Sequence, residues 1–138
     1  MNYQQSITLT NSLEEVERLH LFIDNVCTDN NVDDMDMGMI NLAIEELVVN
    51  VINYAYPQGT QGDIVVACLS DGHTLTFTIA DKGKPFDPTK ADDTDITLTA
   101  EERPIGGLGI HLVRNIMDTM EYRRQEEQNI LTLTKKIV

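Results

Sequence analysis

Asp81-Lys82-Gly83-Lys84-Pro85-Phe86-Asp87-Pro88 and Gly106-Gly107-Leu108-Gly109 are the stretches whose reading decides the fold of this 138-residue chain. The first follows a strand-like alternation, and the second opens the apolar run Ile110 to Met117. Between them, from Lys84 to Ile105, there is little periodicity. That length is unusual for a simple connection, so the segment is either a functional loop or a sign that the element boundaries lie elsewhere. Upstream, Glu45-Glu46-Leu47-Val48-Val49-Asn50 sets polar groups on what otherwise reads as a buried helix.

Working outward, Gly62 to Leu69 and His73 to Ala80 alternate apolar and polar and predict a hairpin about Ser70-Asp71-Gly72. Two further strands are expected near Thr119–Glu126 and Asn129–Ile137, with Gln128-Asn129 near their turn. At the other end Ser6 to Thr10 alternates as a strand with Ile7 and Leu9 inward. A helix follows, capped by Asn11 or Ser12, since both have an acid three residues on. Its stripe is Leu13, Val16, Leu19, Phe22, Ile23 and Val26. A second helix begins at Asp33 or Asp34 and extends to Ala55, with Met35, Met39, Leu42, Ala43, Leu47, Val51 and Tyr54 as its apolar residues. Gly38 within it marks either a close approach or a late start. The third helix starts near Gly107 or Leu108.

The expected architecture is α+β in one domain over residues 1–138: a two-layer α/β sandwich with three helices on one face of a mixed, mostly antiparallel sheet. Threonines at 74, 76, 78, 132 and 134 would lie on the face open to water. A Rossmann reading needs repeated strand–helix alternation and an early glycine motif, and a P-loop needs Lys-Ser/Thr after its glycines; neither is present.

The formal net charge of −13 argues against a nucleic-acid surface and against anionic membranes, and no contiguous basic footprint exists. It does not exclude an anionic ligand held by backbone N–H groups and a divalent ion. Cys27 and Cys68 have no metal-ligand or disulfide spacing. No signal peptide or membrane-length apolar run is seen, and a cytoplasmic location is expected. His20, His73 and His111 read as surface or packing residues.

Glu46, Asn50 and Asn53 recur at i, i+4 and i+7, which places them on one helix face. A carboxylate there can orient or deprotonate a hydroxyl, and an amide oxygen one turn on can ligate Mg²⁺, which accepts few protein ligands beside water and phosphate. Asp81 could accept a hydrogen bond from an exocyclic base amine, with Gly83 letting the base edge near the backbone. The glycines at 106, 107 and 109 would leave N–H groups bare for phosphate at a helix start.

Taken together, these motifs resemble the GHKL, or Bergerat-fold, ATPases, and most closely the compact anti-sigma factor and serine-protein kinase branch. Glu46-Leu47-Val48-Val49-Asn50 matches the N-box, Asp81 to Pro88 the first glycine box, and Gly106-Gly107-Leu108-Gly109-Ile110 the second. The resemblance implies ATP and Mg²⁺ as cofactors. It makes Glu46 the catalytic carboxylate, Asn50 the Mg²⁺ ligand and Asp81 the adenine-recognition residue. Gly83 would support the base pocket. Gly106, Gly107, Leu108 and Gly109 lie where the lid meets the phosphates, with Lys84 and Arg103 as charge partners. Thr132 or Thr134 would assist Asp81, the pattern leaving open which of them faces the pocket.

The activity implied is serine or threonine phosphorylation of a small antagonist protein, with a sigma factor as a second binding partner. Homodimers also occur in this branch. The alternative is a nucleotide-gated protein-binding module without significant transfer. A sensor histidine kinase would carry a dimerisation helix pair with a phosphoacceptor histidine, which this sequence does not show. Tyr54 stands where the branch often has histidine, and the lid is acidic at Asp92, Asp93, Asp95, Glu101 and Glu102.

Overall fold

The computed structural model describes residues 2–90 and 107–138. In it, β1 (Tyr3–Thr10) leads through two helices, α1 (Val16–Asp29) and α2 (Asp34–Asn50), to the hairpin β2 (Asp63–Ser70) and β3 (Thr74–Asp81). Helix α3 (Gly107–Ile116) then precedes the hairpin β4 (Thr119–Gln125) and β5 (Gln128–Lys136). The sheet order is β1-β2-β3-β5-β4, and all four pairings are antiparallel rather than mixed. Connectivity explains this. Two helices between β1 and β2 return the chain in the opposite sense. The single helix after β3 sets β4 parallel to it in direction, but β5 inserts between them and pairs antiparallel with both.

Period-two alternation builds the core. Leu75, Phe77, Ile79 and Asp81 on β3 and Asn129, Leu131 and Leu133 on β5 are buried on the helix-covered side. The five threonines expected on the other face are there, each half-buried. Leu19, Ile23 and Val26 of α1, Ile40, Ile44 and Leu47 of α2, and Ile110 and Val113 of α3 close the core from above.

Several details differ from the sequence reading. Ser12 caps a single 3₁₀ turn, Leu13–Glu15, by accepting from the Glu14 N–H at 3.3 Å. The turn's different winding leaves Leu13 exposed instead of in the stripe. Asn11 does not cap. Its side chain ties the end of β1 to the entry of β2, donating to the Thr60 carbonyl at 2.6 Å and accepting from Gly62 N–H at 3.0 Å.

On α2 the core face runs through Ile40, Ala43, Ile44, Leu47 and Val48, so Met35 (80% exposed), Met39 and Leu42 point away from it. Gly38 has open space where a Cβ would lie, so it marks no close approach. The last expected turn of the helix is wound as a π segment, Val51–Ala55. The turn between β4 and β5 is Glu126-Glu127, both left-handed (φ 52° and 63°), which moves Asn129 inside β5.

A candidate nucleotide site between two sheet strands and two helices

The end of β3 and the start of β5 lie side by side, with Asp81 opposite Asn129. Both are buried, at 3% and 4% exposure. Asp81 Oδ1 accepts from the Gly83 N–H at 2.8 Å and from Asn129 Nδ2 at 2.9 Å. Burial pushes its carboxyl above the usual carboxylate range, while those two hydrogen bonds and the Arg124 charge pull the other way. Asn129 Nδ2 also donates to the Lys84 carbonyl at 2.8 Å. Its Oδ1 accepts from the Tyr122 hydroxyl at 2.6 Å and from the Phe86 N–H at 3.2 Å. Arg124 Nη1 donates to the Gly83 carbonyl at 2.7 Å. The first glycine box is therefore bound to β4 and β5 by side chains.

Its other edge is held by the π segment. Lys84 N–H donates to the Ala55 carbonyl at 2.7 Å, and a Cβ on Gly83 would collide with that same carbonyl. Glycine is required here because two backbones meet. The Tyr56 hydroxyl accepts from the Lys82 N–H at 2.9 Å and donates to the Asp63 carbonyl at 2.7 Å. A π turn is an uncommon feature that clusters at functional sites, and this one presents Ala55 to the loop.

One turn back on α2, Asn50 is buried and its Nδ2 lies 3.5 Å from Glu46 Oε1, a weak hydrogen bond. Glu46 is half-buried. On α3, a Cβ at Gly109 would take the space of the Glu46 carboxylate. Gly109 is thus the residue that lets α3 close over Glu46. Asn53 is exposed and does not join the pair, because π winding carries it off the face that regular helical spacing predicts.

Between these two groups, Leu47, Asn50, Val51, Ile79, Asp81, Phe86, Pro88, Tyr122, Asn129 and Leu131 line a cavity of about 20 Å³. That holds roughly one water. A cavity of that size does not hold a purine, so the site must widen to take one. A larger hollow, about 630 Å³, lies at the far corner of the sheet by Tyr3 and Leu69. Its one acid, Asp71, already accepts from the N–H groups of His73 and Thr74 in the hairpin turn, so the smaller cavity is the chemical one.

The sequence-derived candidates are brought together in two sets: Asp81 with Gly83 and the Lys84 backbone, and Glu46 with Asn50 and Gly109. The Lys84 ammonium is exposed. Gly107 and Leu108 begin α3, while Arg103, Gly106 and the acidic lid residues lie outside the described residues. Thr132 and Thr134 are a correction. Both lie on the sheet face opposite Asp81, since Asn129, Leu131 and Leu133 take the inward positions of β5. The inward partner of Asp81 is Asn129, with Tyr122 and Arg124 behind it. Period-two alternation back from the inward Leu131 and Leu133 leads to Asn129, the signal that could have found it.

The donor sets fit an ATP–Mg²⁺ complex. Among the described residues none donates to Asn50 Oδ1, so this amide oxygen beside a carboxylate is open to a hard cation. Among the described residues none donates to Asp81 Oδ2 either, and Asp81 lines the cavity, as an amino-bearing base requires. No cluster of three or more His, Cys, Asp or Glu suited to a metal occurs among the described residues. No helix among them is long and apolar enough to cross a membrane.

Known proteins give the same picture. Serine/threonine-protein kinase BtrW of Bordetella bronchiseptica is 28% identical over 95 residues, covering 69% of this chain and 67% of that protein. Serine-protein kinase RsbW of Bacillus cereus is 29% identical over 106 residues, covering 74% and 65%. The matches thus span about two thirds of these relatives' length. The crystal structure of RsbU and RsbW domains from Mycobacterium tuberculosis superposes on 98% of this chain and 32% of that one, with TM-score 0.69 and 18% identity. The catalytic domain of the histidine kinase ThkA does so over 98% and 97%, with TM-score 0.55 and 12% identity, which speaks for the fold alone. A model of the histidine kinase-like ATPase domain matches residues 9–135. The chain belongs to the histidine kinase-like ATPase domain family.

Proposed function

We propose that this domain binds ATP with Mg²⁺ and transfers the terminal phosphoryl group to a serine or threonine of a small antagonist protein. The observation that carries this reading is the Glu46 carboxylate, held between Asn50 and Gly109 at one end of a site whose other end is the buried Asp81 carboxylate. Nucleotide binding alone has no use for Glu46. The named kinase relatives support transfer to a protein hydroxyl.

In this reading Asp81 Oδ2 receives the exocyclic amine of the base. Asn50 Oδ1 would hold the cation, which when bound supplies charge neutralisation at the phosphate oxygens. Glu46 orients the incoming hydroxyl and takes its proton. Gly109 keeps the α3 backbone close enough for its N–H groups to face phosphate. Lys84 and, beyond the described residues, Arg103 and Gly106 are proposed as lid contributions. A sigma factor as second partner, a homodimer and a cytoplasmic setting belong to the same proposal. The last accords with two free, buried cysteines.

Calorimetric titration of ATP with and without Mg²⁺, into wild type and Asn50→Ala, tests the reading. Magnesium-dependent binding that Asn50→Ala weakens is the expected result. Absence of ATP binding by the folded wild type overturns it. Tight binding with no transfer to any antagonist protein leaves the domain as a nucleotide-gated binding module.

A further inference from the structure

Asn129 carries four hydrogen-bonding positions, two N–H donors and two lone pairs, and all four are engaged. Two partners are backbone groups with fixed polarity: the Lys84 carbonyl can only accept and the Phe86 N–H can only donate. The amide is therefore held in one orientation, its NH₂ toward Asp81. A flipped amide would face donor to donor at Phe86 and oxygen to oxygen at both Lys84 and Asp81. The Tyr122 hydroxyl must donate to Asn129 Oδ1, which fixes that proton too. With N–H groups from both Asn129 and Gly83 on Asp81 Oδ1, only Oδ2 remains unbonded toward the cavity.

We propose that Asn129, braced by Tyr122, is the positioning residue that sets base specificity, by favouring the ionised form of Asp81, which meets the base as an acceptor. This deepens the ATP reading and rests on it. An acceptor at this point takes a base with an exocyclic 6-amino group and opposes one with a 6-oxo group. Without the Asn129 N–H, Asp81 loses one of the two hydrogen bonds that favour its ionised form, and the buried carboxyl more readily takes a proton on Oδ2 and donates it to a 6-oxo base. Asn129 itself lines the cavity but has no hydrogen-bonding group left to offer the nucleotide.

The test is calorimetric affinity for ATP and for inosine triphosphate, its 6-oxo counterpart, in wild type, Asn129→Leu and Tyr122→Phe across a pH series. Wild type is expected to favour ATP. In Asn129→Leu the ATP-to-inosine preference should fall about tenfold or more, the equivalent of one hydrogen bond to a charged group. Its ATP affinity should also drop as pH is lowered through a range where wild type is flat. Tyr122→Phe keeps the strand packing and removes one brace, so it reads the same shift, smaller, should Asn129→Leu fail to fold. Variants that weaken both nucleotides equally, with the ratio and pH profile unmoved, overturn the specificity role while leaving the ATP reading intact. A wild type that does not distinguish the two nucleotides overturns the base-recognition reading itself.

Discussion

The two ends of the site are built to different standards. At the base end Asp81, Asn129, Tyr122, Gly83, Phe86 and Arg124 form a connected set of hydrogen bonds, all at 3.2 Å or shorter. At the transfer end Glu46 and Asn50 share one hydrogen bond among the described residues, at 3.5 Å. A buried polar network is rigid when every member has a partner, so Asp81 and Asn129 are held in place even though the cavity beside them must widen to take a purine. The transfer end keeps its oxygens uncommitted, which suits groups that are to be completed by a cation, phosphates and an incoming hydroxyl. In the proposed reading the base end fixes what binds, and the transfer end leaves room for what happens next.

The largest effect should come from the transfer end. Glu46→Gln keeps the shape and the contact to Asn50 but removes the base. Phosphotransfer to an antagonist protein should fall by roughly 10²–10⁴-fold, with ATP affinity within a few-fold of wild type. Radiolabel transfer beside calorimetry checks both. Undiminished transfer would break the assignment of chemistry to this end.

At the base end the strongest variant is Asp81→Asn. It replaces the acceptor facing the base with a donor, and ATP affinity should weaken by about 100-fold, the upper range for a hydrogen bond to a charged group. Stability should move the opposite way. Burial holds the folded carboxyl of Asp81 above its unfolded value, so its contribution is fully present below the unfolded pKa and is lost as pH rises through the folded one. The variant removes a charged form that costs stability at neutral pH. Its Tm should therefore exceed that of wild type at pH 7, with the gap closing as pH falls into the carboxylate range. Thermal melts across that range check the sign. A variant less stable at pH 7 would mean that Asp81 is retained for folding and not only for the base.

Gly109→Ala sharpens the same contrast. Its methyl group would fall on the Glu46 carboxylate, and either α3 or Glu46 must shift. Glu46 is a flexible side chain that can give way, and alanine gains about 1 kcal/mol of helix propensity, so global stability should change little. Because Glu46 is half-buried, transfer should suffer more than global stability. Comparing denaturant midpoints with transfer rates separates the two. Equal losses would mean that the transfer end is as tightly packed as the base end.

Motifs made of residue types were legible in sequence; features made by winding and register were not. Asp81, Gly83, Glu46, Asn50 and the three-helix, five-strand frame followed from local pattern. The π turn at Val51–Ala55 left no periodic signature, and it moved Asn53 out of a face that helical spacing assigned to it. Thr132 and Thr134 followed from the resemblance and not from the strand's own alternation: with Leu131 and Leu133 inward, both threonines face outward and Asn129 inward. Met35, Met39 and Leu42 misled for a different reason. A helix apolar on more than one side does not reveal from composition which side is covered.

The Glu126-Glu127 turn supplies the smallest prediction, and it bears on where the base end gets its rigidity. A two-residue hairpin loop with both residues left-handed favours Asn-Gly, and each glutamate there is held in a conformation costing about 1 kcal/mol. Asn129 lies only two residues past the loop, so the turn and the network could each be what fixes its register. Replacing the pair, Glu126→Asn with Glu127→Gly, should raise stability by about 1 kcal/mol after the added chain entropy of glycine is offset. It also removes two like charges from a strongly acidic chain. If the four hydrogen bonds of Asn129 set its position, ATP affinity and base preference stay at wild-type values while the denaturant midpoint rises. If the strained turn sets it, relieving the strain lets β5 adjust and the base preference moves with stability. Only the first outcome keeps the base end as a unit held by its own side chains.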